Sequence, residues 1–487
     1  MGTEGEPAAQ EPPSHATATA TMIAGAAAVG GFLFGYDTSV INGTVEALRA
    51  EFGLGSFVVG LVVASALLGC AAGAWFAGEL ADRIGRVRVM LLAALLFVLS
   101  ALGSALAFSA VDLTLWRLVG GLAIGAASVI APAYIAEIAP ARLRGRLGSL
   151  QQLAIVTGIF TALLADYFIA RVSAGGASGE FPLGGTAWRW MFASAVVPAV
   201  IYGAIAMSIP ESPRFLVKRH QEARARRVLA RVLGAGTDVD AKVRDIARTL
   251  REDRPVRVRD LRGPRLGLLP IVWVGILLSV FQQFVGINVI FYYSSSLWQA
   301  VGFSESDAML TSVITSITNI VTTLVAIALI DRIGRRRLLL AGAAGMTLTL
   351  ATLTVAFATA PLVDGEPVLG PTAGPIALIA ANLYVFSFGA TWGPVVWVLL
   401  GEMFNNFIRA AALAVAAAAQ WIANWLITMT FPAMAALGLG FAYGFYTLSA
   451  GVAFLFVYKA VRETKGRELE DMDQLYGVPE DRTARHA

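Results

Sequence analysis

Gly78-Glu-Leu-Ala-Asp-Arg-Ile-Gly-Arg86 follows the second long apolar run of the chain, and Asp331-Arg-Ile-Gly-Arg-Arg336 follows the eighth. The same polar motif thus recurs half a chain apart, in the same kind of slot. Two further pairs keep the order. Glu137 and Arg144 follow the fourth run with the same separation as Glu402 and Arg409 after the tenth. Pro210-Glu-Ser-Pro-Arg214 after the sixth has a looser echo in Arg462-Glu-Thr-Lys-Gly466 after the twelfth. Recurrence in matching slots reads as internal duplication, and two duplicated halves with a ligand between them is an architecture of membrane carriers.

The apolar runs themselves are Met22–Ile41, Val58–Gly78, Val89–Phe108, Val119–Ile135, Leu147–Ala170 and Met191–Ile209, then 268–299, 309–330, 338–360, 375–400, 410–431 and 439–458. Each is about the 20 residues that cross a bilayer core. Composition agrees: 57% of the 487 residues are hydrophobic and only 14% charged, whereas a soluble chain carries roughly a quarter charged. The expectation is an all-α membrane protein of 12 transmembrane helices in two pseudo-symmetric six-helix halves, 19–209 and 266–460. A cytoplasmic helical linker over 210–265 joins them, with short helices predicted at Gln221–Leu233 and Asp240–Glu252. Residues 1–18 and 461–487 read as cytoplasmic tails, the first disordered and without the basic start of a cleaved signal.

The net charge of +4 is distributed by topology. Arg83, Arg86 and Arg88, then Arg142, Arg144 and Arg146, then Arg332, Arg335, Arg336 and Arg337 follow even-numbered runs, while Ser109–Asp112, Gly302–Asp307 and Pro361–Pro375 hold no Lys or Arg. This every-other-loop bias places both termini in the cytoplasm and argues against a nucleic-acid partner. Cys70 is the single cysteine and lies in an apolar run, so neither a disulfide nor a thiolate metal site is expected. His15, His220 and His486 all fall outside the runs, which leaves no histidine to carry a proton through the membrane. No nucleophile–base set or phosphate loop suggests an enzyme, and no cofactor is implied.

Two groups are charged well inside the runs, Asp37 and Arg117; Asp112, Asp166, Glu137 and Glu402 read as lying at or near run ends. A charge in hydrocarbon costs at least about 2.5–3.5 kcal/mol, so it is usually functional. A purely structural ion pair is the plainer alternative, but an apolar pair would hold the helices without desolvation. As a proton switch, Asp37 would change its proton affinity as Arg117 approaches and withdraws, because a guanidinium and burial act on a carboxylate in opposite directions. Uncharged polar groups form a second constellation: Gln151, Gln152, Gln282, Gln283, Asn288, Asn319, Gln420 and Asn424. Carboxamides both donate and accept, which suits a ring of hydroxyls. Trp392, Trp397 and Trp421 offer flat faces for the C–H side of a sugar. Taken singly, each amide could be an interhelical hydrogen bond and each Trp an interfacial anchor. Gly286, Gly389, Gly393 and Pro394 interrupt their helices, as happens where backbone lines a cavity. Asp82, Arg83, Glu137, Arg144, Asp331, Arg332, Glu402 and Arg409 are expected to form a cytoplasmic gate, pairing across the halves when that side is shut.

Gly35-Tyr-Asp-Thr-Ser-Val-Ile-Asn-Gly43, the two Asp-Arg-Ile-Gly-Arg loops, Pro210-Glu-Ser-Pro-Arg-Phe-Leu216, Gln282-Gln-Phe-Val-Gly-Ile-Asn288, Gly393-Pro-Val-Val-Trp397 and Gln420-Trp421 together resemble the sugar porter family of the major facilitator superfamily, over about 20–470. The segments around runs seven, ten and eleven look like those of bacterial D-xylose–proton symporters. The resemblance implies that Gln152, Gln282, Gln283, Asn288, Asn319, Trp397, Gln420 and Trp421 contact a monosaccharide, and that Asp37 and Arg117 couple its movement to a proton. It also implies sugar contacts for Ile159 and Phe291, where xylose carriers are smaller and more polar and glucose carriers have these residue types. That points to D-glucose, with xylose or another hexose as further substrates. Ala195 stands where the xylose carriers have an acid, and Val461-Arg462 where the family has a proline. The expectation is a monomeric proton-coupled importer of the cell membrane; a sugar uniporter is the nearer alternative, and a non-transporting sugar sensor the further one.

Overall fold

A computed structural model of the chain describes residues 14–138, 144–233, 238–252, 261–263, 266–363, 366–404 and 408–464. Apart from a hairpin of two-residue strands, Leu362–Val363 and Glu366–Pro367, the described fold is helical. Twelve helices are long and apolar enough to cross a membrane. Spans one to six are Thr21–Phe52, Ser56–Ile84, Arg86–Ala105, Ala110–Ile138, Leu150–Val172 and Ala187–Ser208. Spans seven to twelve are Pro270–Gln299, Glu305–Ile330, Arg335–Ala358, Ala373–Met403, Ala411–Ala436 and Leu439–Ala460. Apolar side chains such as Leu95, Leu99, Leu102 and Leu106 along span three stand exposed on the outer surface, as side chains facing lipid do.

Small residues decide how closely the spans approach, since hydrocarbon offers no hydrophobic drive for helices to associate. Gly69 and Gly73 of span two face Gly121 and Gly125 of span four, each pair spaced by four residues. A Cβ on Gly121 would lie 2.0 Å from the Ala66 carbonyl oxygen, and one on Gly125 2.1 Å from that of Cys70. The obstacle in each case is backbone, so the helices themselves would have to part. Gly121→Ala is therefore expected to cost about 1–3 kcal/mol, read as a lower melting temperature in detergent, while Gly78→Ala, with nothing within 4 Å of the added Cβ, leaves it unchanged.

Four spans are broken, span six into Ala187–Ser194 and Val196–Ser208. Span one stops being α-helical after Ser39 and passes through a 3₁₀ turn, Asn42–Thr44, before resuming as Val45–Phe52. Span seven divides into Pro270–Phe284 and Ile287–Gln299 at Gly286, whose φ of 86° is open to glycine at no steric cost. Span ten carries a π turn, Phe388–Trp392, directly before Gly393 and Pro394; such bulges mark functional sites. The segment after span six forms Pro213–Lys218, Glu222–Leu233 and Val239–Glu252, joined by a small cluster of Leu216, Val217, Ala225, Leu229 and Val243. The tail positions 1–13 and 465–487 lie outside the described residues.

Candidate functional site: the interface between the two sets of spans

Span one carries Asp37 one turn before the helix ends, and span four carries Arg117 two turns from its start. Beside them a Cβ on Gly120 would come within 2.5 Å of the Ser100 Oγ atom and 3.4 Å of the Asp37 Oδ2 atom. Arg117 Nη1 donates to Asp37 Oδ2 at 3.1 Å and to the Asp37 carbonyl at 2.9 Å. Both side chains are shut away from solvent, at 2% and 6% exposure, and the guanidinium lies 5.9 Å from the centre of the Phe192 ring. The Arg117 Nε–H has no partner, so the cation is held by one oxygen and one carbonyl rather than by a two-pronged fork.

The amides of span seven form a string. Gln282 Nε2 donates to the carbonyls of Trp392 at 2.9 Å and Gly393 at 3.1 Å, where span ten passes from the π turn into α-helix. Gln283 Nε2 donates to Gln282 Oε1 at 3.4 Å, and Asn288 Nδ2 to Gln283 Oε1 at 2.6 Å. Half-buried Asn288 is its outer end. Asn319 of span eight is buried, its Oδ1 next to Gly389 of the π turn. Gln152 and Ile159 of span five, and Gln420 and Trp421 of span eleven, are half-buried. Gln420 Oε1 has no partner, nor does Gln151 Oε1, and the Trp421 ring packs 5.8 Å from Phe34 of span one. Trp397 is exposed on a segment of span ten whose Val395, Val396, Leu399 and Leu400 are fully buried. Among the described residues no hydrogen bond joins Gln152, Asn319 or Gln420 to the span-seven string.

One aromatic residue sits elsewhere than sequence suggests. Trp392 is fully buried, and its indole N–H donates to the Leu339 carbonyl at 2.9 Å. It packs spans nine and ten together and offers no face to a ligand. Phe291 is buried too, with its carbonyl accepting from Asn42 Nδ2 at 2.9 Å.

That last bond belongs to a seam closing one end of the molecule. Asn42 Nδ2 also donates to Ser294 Oγ at 3.1 Å, and Asn42 Oδ1 accepts from the Ser295 amide at 3.2 Å and hydroxyl at 2.5 Å. Beside it the Ala177 amide donates to Glu305 Oε1 at 2.8 Å, and a Cβ on Gly60 of span two would lie 2.0 Å from the Met429 carbonyl of span eleven.

At the opposite end lie ion pairs formed within one or the other set of six spans. Arg86 pairs with Glu137 at 2.9 Å and Asp82 at 3.0 Å, and Lys218 with Asp82 at 2.9 Å; Arg335 pairs with Glu402 at 2.7 Å. Arg83 pairs only locally, with Glu79 at 2.5 Å, on the exposed surface, and Arg409 Nε donates to the Phe404 carbonyl at 3.3 Å. The side chains of Arg144 and Asp331 lie outside the described residues. None of these pairs links the two sets of spans.

The residues at the centre of these clusters are Arg86 and Arg335, which sequence reasoning left out of the gate. Their settings correspond in several contacts. Glu211 accepts from the Arg86 amide at 2.9 Å, and Glu463 from the Arg335 amide at 2.9 Å. Ser212 donates to Glu137, and Thr464 to Glu402. Arg86 and Arg335 each donate to a backbone carbonyl five residues back, that of Ala81 and Ile330. Each acid caps the amino end of a span, where helix dipoles favour negative charge. Burial pushes the Glu211 carboxyl above its ordinary range, against the amides of Ser212, Arg86 and Val87 and the Arg86 guanidinium. The signal was present: the last Arg of both motifs, and the Glu shared by Pro210–Arg214 and Arg462–Gly466, whose echo is closer in space than in letters.

Twelve apolar spans, a duplicated charge cluster and amides gathered at helix breaks define a membrane carrier with two related halves. The chain belongs to the "Sugar (and other) transporter" family, whose profile matches residues 23–476, and is a sugar transporter of the major facilitator type. It is 56% identical over 464 residues to the "Glucose transport protein" of Synechocystis sp., covering 94% of this chain and 99% of that one. It is 38% identical over 485 residues to the "D-xylose-proton symporter" of Escherichia coli K12, covering 92% and 94%. A solved structure described as the inward open conformation of the xylose transporter XylE from E. coli matches with a TM-score of 0.79 at 37% identity, over 93% of this chain and 99% of that one.

Proposed function

We propose that the protein imports D-glucose together with one proton by alternating access, as a monomer in the cell membrane with both termini in the cytoplasm. Under this reading the Asn42 end faces outside and is closed, and the Arg86 end faces the cytoplasm and is open. The observation that carries it is the buried contact of Asp37 with Arg117 at 3.1 Å. A proton arriving on Asp37 removes the charge that holds Arg117, and its departure lets the bond re-form, so proton occupancy biases the packing of spans one and four. Gln152, Gln282, Gln283, Asn288, Asn319, Trp397, Gln420 and Trp421 are the proposed sugar contacts, with Ile159 and Phe291 shaping the pocket for a hexose. Identity of 56% to a glucose transport protein supports glucose over xylose. Asp82, Arg83, Glu137, Arg144, Asp331, Arg332, Glu402 and Arg409, joined by Arg86 and Arg335, are the proposed cytoplasmic gate.

Uniport is the second reading. Ala195 favours it, because it removes an acid that the resemblance to xylose carriers leads one to expect. The sugar is tested by uptake of labelled D-glucose into proteoliposomes with an inward proton gradient. Unlabelled glucose is expected to compete best, ahead of xylose, galactose and inositol. Stronger competition by xylose would make the carrier a pentose transporter.

A further inference from the structure

We propose that Asp166 is a second proton-binding site, a latch that lets the Asn42 end close only while its carboxyl is protonated. The inference rests on the reading above in two respects, the outward direction of the Asn42 end and coupling through Asp37. From sequence, Asp166 read as a residue near the end of span five. The structure buries it at 1% exposure. Its Oδ2 accepts a single bond, from the Gly43 amide at 3.3 Å, and its Oδ1 has no partner. Gly43 lies in the 3₁₀ turn that interrupts span one, beside Asn42, and a Cβ on it would come within 2.8 Å of the Asp166 side chain. Asp166 therefore sits directly beneath the seam that Asn42 makes with Phe291, Ser294 and Ser295.

Every neighbouring charge is committed elsewhere. On its own span Arg171 bonds the Tyr167 hydroxyl at 2.6 Å. From span four Arg117 holds Asp37, and from span six Arg189 holds Glu51. Arg49 pairs with Glu46 in the second part of span one, and Glu305 of span eight takes the Ala177 amide. Tyr36 of span one, the titratable group nearest in character, bonds Ser194 at 2.7 Å. Among the described residues none pairs with Asp166.

An ionised carboxylate in that setting would lie in hydrocarbon with one long hydrogen bond and no counter-charge, an arrangement proteins avoid by neutralising the group. When the Asn42 seam opens, water reaches Asp166 and solvates the carboxylate. Closure then takes one proton from outside onto Asp166, and reopening returns it to the same side. The latch leaves the proton-to-sugar ratio unchanged and makes the approach to the closed state depend on external acidity.

The test is exchange of labelled for unlabelled glucose in proteoliposomes at equal pH on both sides, from about pH 5.5 to about 8.5, in an Asp37→Asn background that removes the coupling site. One proton bound on closure predicts a fall approaching about tenfold per pH unit once the latch titrates. The Asp37→Asn/Asp166→Asn double variant, whose amide cannot ionise, is expected to exchange at a pH-independent rate equal to the single variant's acid plateau. A flat profile in Asp37→Asn, or the same fall in both variants, overturns the latch without touching symport. Accumulation by Asp37→Asn overturns Asp37 as the coupling group, and the latch is then read from Asp166→Asn alone. If the double variant does not fold, infrared spectra of aspartate-labelled Asp37→Asn protein decide: a buried protonated-carboxyl band at neutral pH supports the latch, and its absence overturns it.

Discussion

Proteoliposomes carrying Asp37→Asn are expected to exchange labelled for unlabelled glucose at a rate within a few fold of the unsubstituted protein, yet to accumulate none. The amide is isosteric and keeps an oxygen for Arg117 Nη1, which also holds the Asp37 carbonyl at 2.9 Å, so spans one and four retain their contact. What it lacks is a titratable charge, and with it the difference between loaded and empty carrier that a proton creates. Each charge moved contributes about 2.3 kcal/mol per 100 mV, which corresponds to roughly 50-fold accumulation of sugar at that potential. The ratio is expected to fall to unity in the variant. Measured with an imposed potential and a clamped pH, a ratio that stays high in Asp37→Asn rules out Asp37 as the coupling group. Equal ratios near unity in both proteins favour uniport.

Gln282→Ala is expected to weaken glucose binding by on the order of 100-fold with a smaller loss of thermal stability. The amide does two jobs. It satisfies the Trp392 and Gly393 carbonyls at 2.9 and 3.1 Å, and it anchors the string through Gln283 to Asn288. Leaving a buried carbonyl unpaired costs about 1–3 kcal/mol, and a water entering the volume vacated by the amide would offset part of that penalty. Binding is not, because a sugar hydroxyl loses both its partner and the geometry of the next two. Titration calorimetry against melting temperature separates the effects. Trp392→Phe is the control, since it removes the N–H that bonds Leu339 in the packed interior and is expected to lower stability with little change in affinity. Wild-type affinity in Gln282→Ala would mean that the string only braces the break in span ten.

Much of this site is legible as residue types. Amides in apolar runs and glycines beside them announce a polar lining, because unpartnered polar groups are excluded from hydrocarbon. Which amides bond to backbone is not legible. Gln282 bonds the Trp392 and Gly393 carbonyls, where span ten passes from a π turn into α-helix, and Trp392 lies in the core while Trp397, five residues on, stays exposed. At about 3.6 residues per turn the two rings stand on different faces of the helix, and which face meets the core is decided by the neighbouring spans.

The number of spans, their order and the duplication were settled by the chain alone, because a bilayer imposes a length of apolar residues that hardly depends on what surrounds them, and because a repeated gene segment leaves repeated letters. Partners and depth were settled by tertiary structure. Arg86 meets Glu137 and Glu211, 51 and 125 residues away, Asn42 meets Ser294 and Ser295, and Asp166 loses its water beneath Gly43. Each of these depends on the rotation and height of one helix against another, quantities set by close packing at glycines such as Gly121 and Gly125 rather than by the residues that meet.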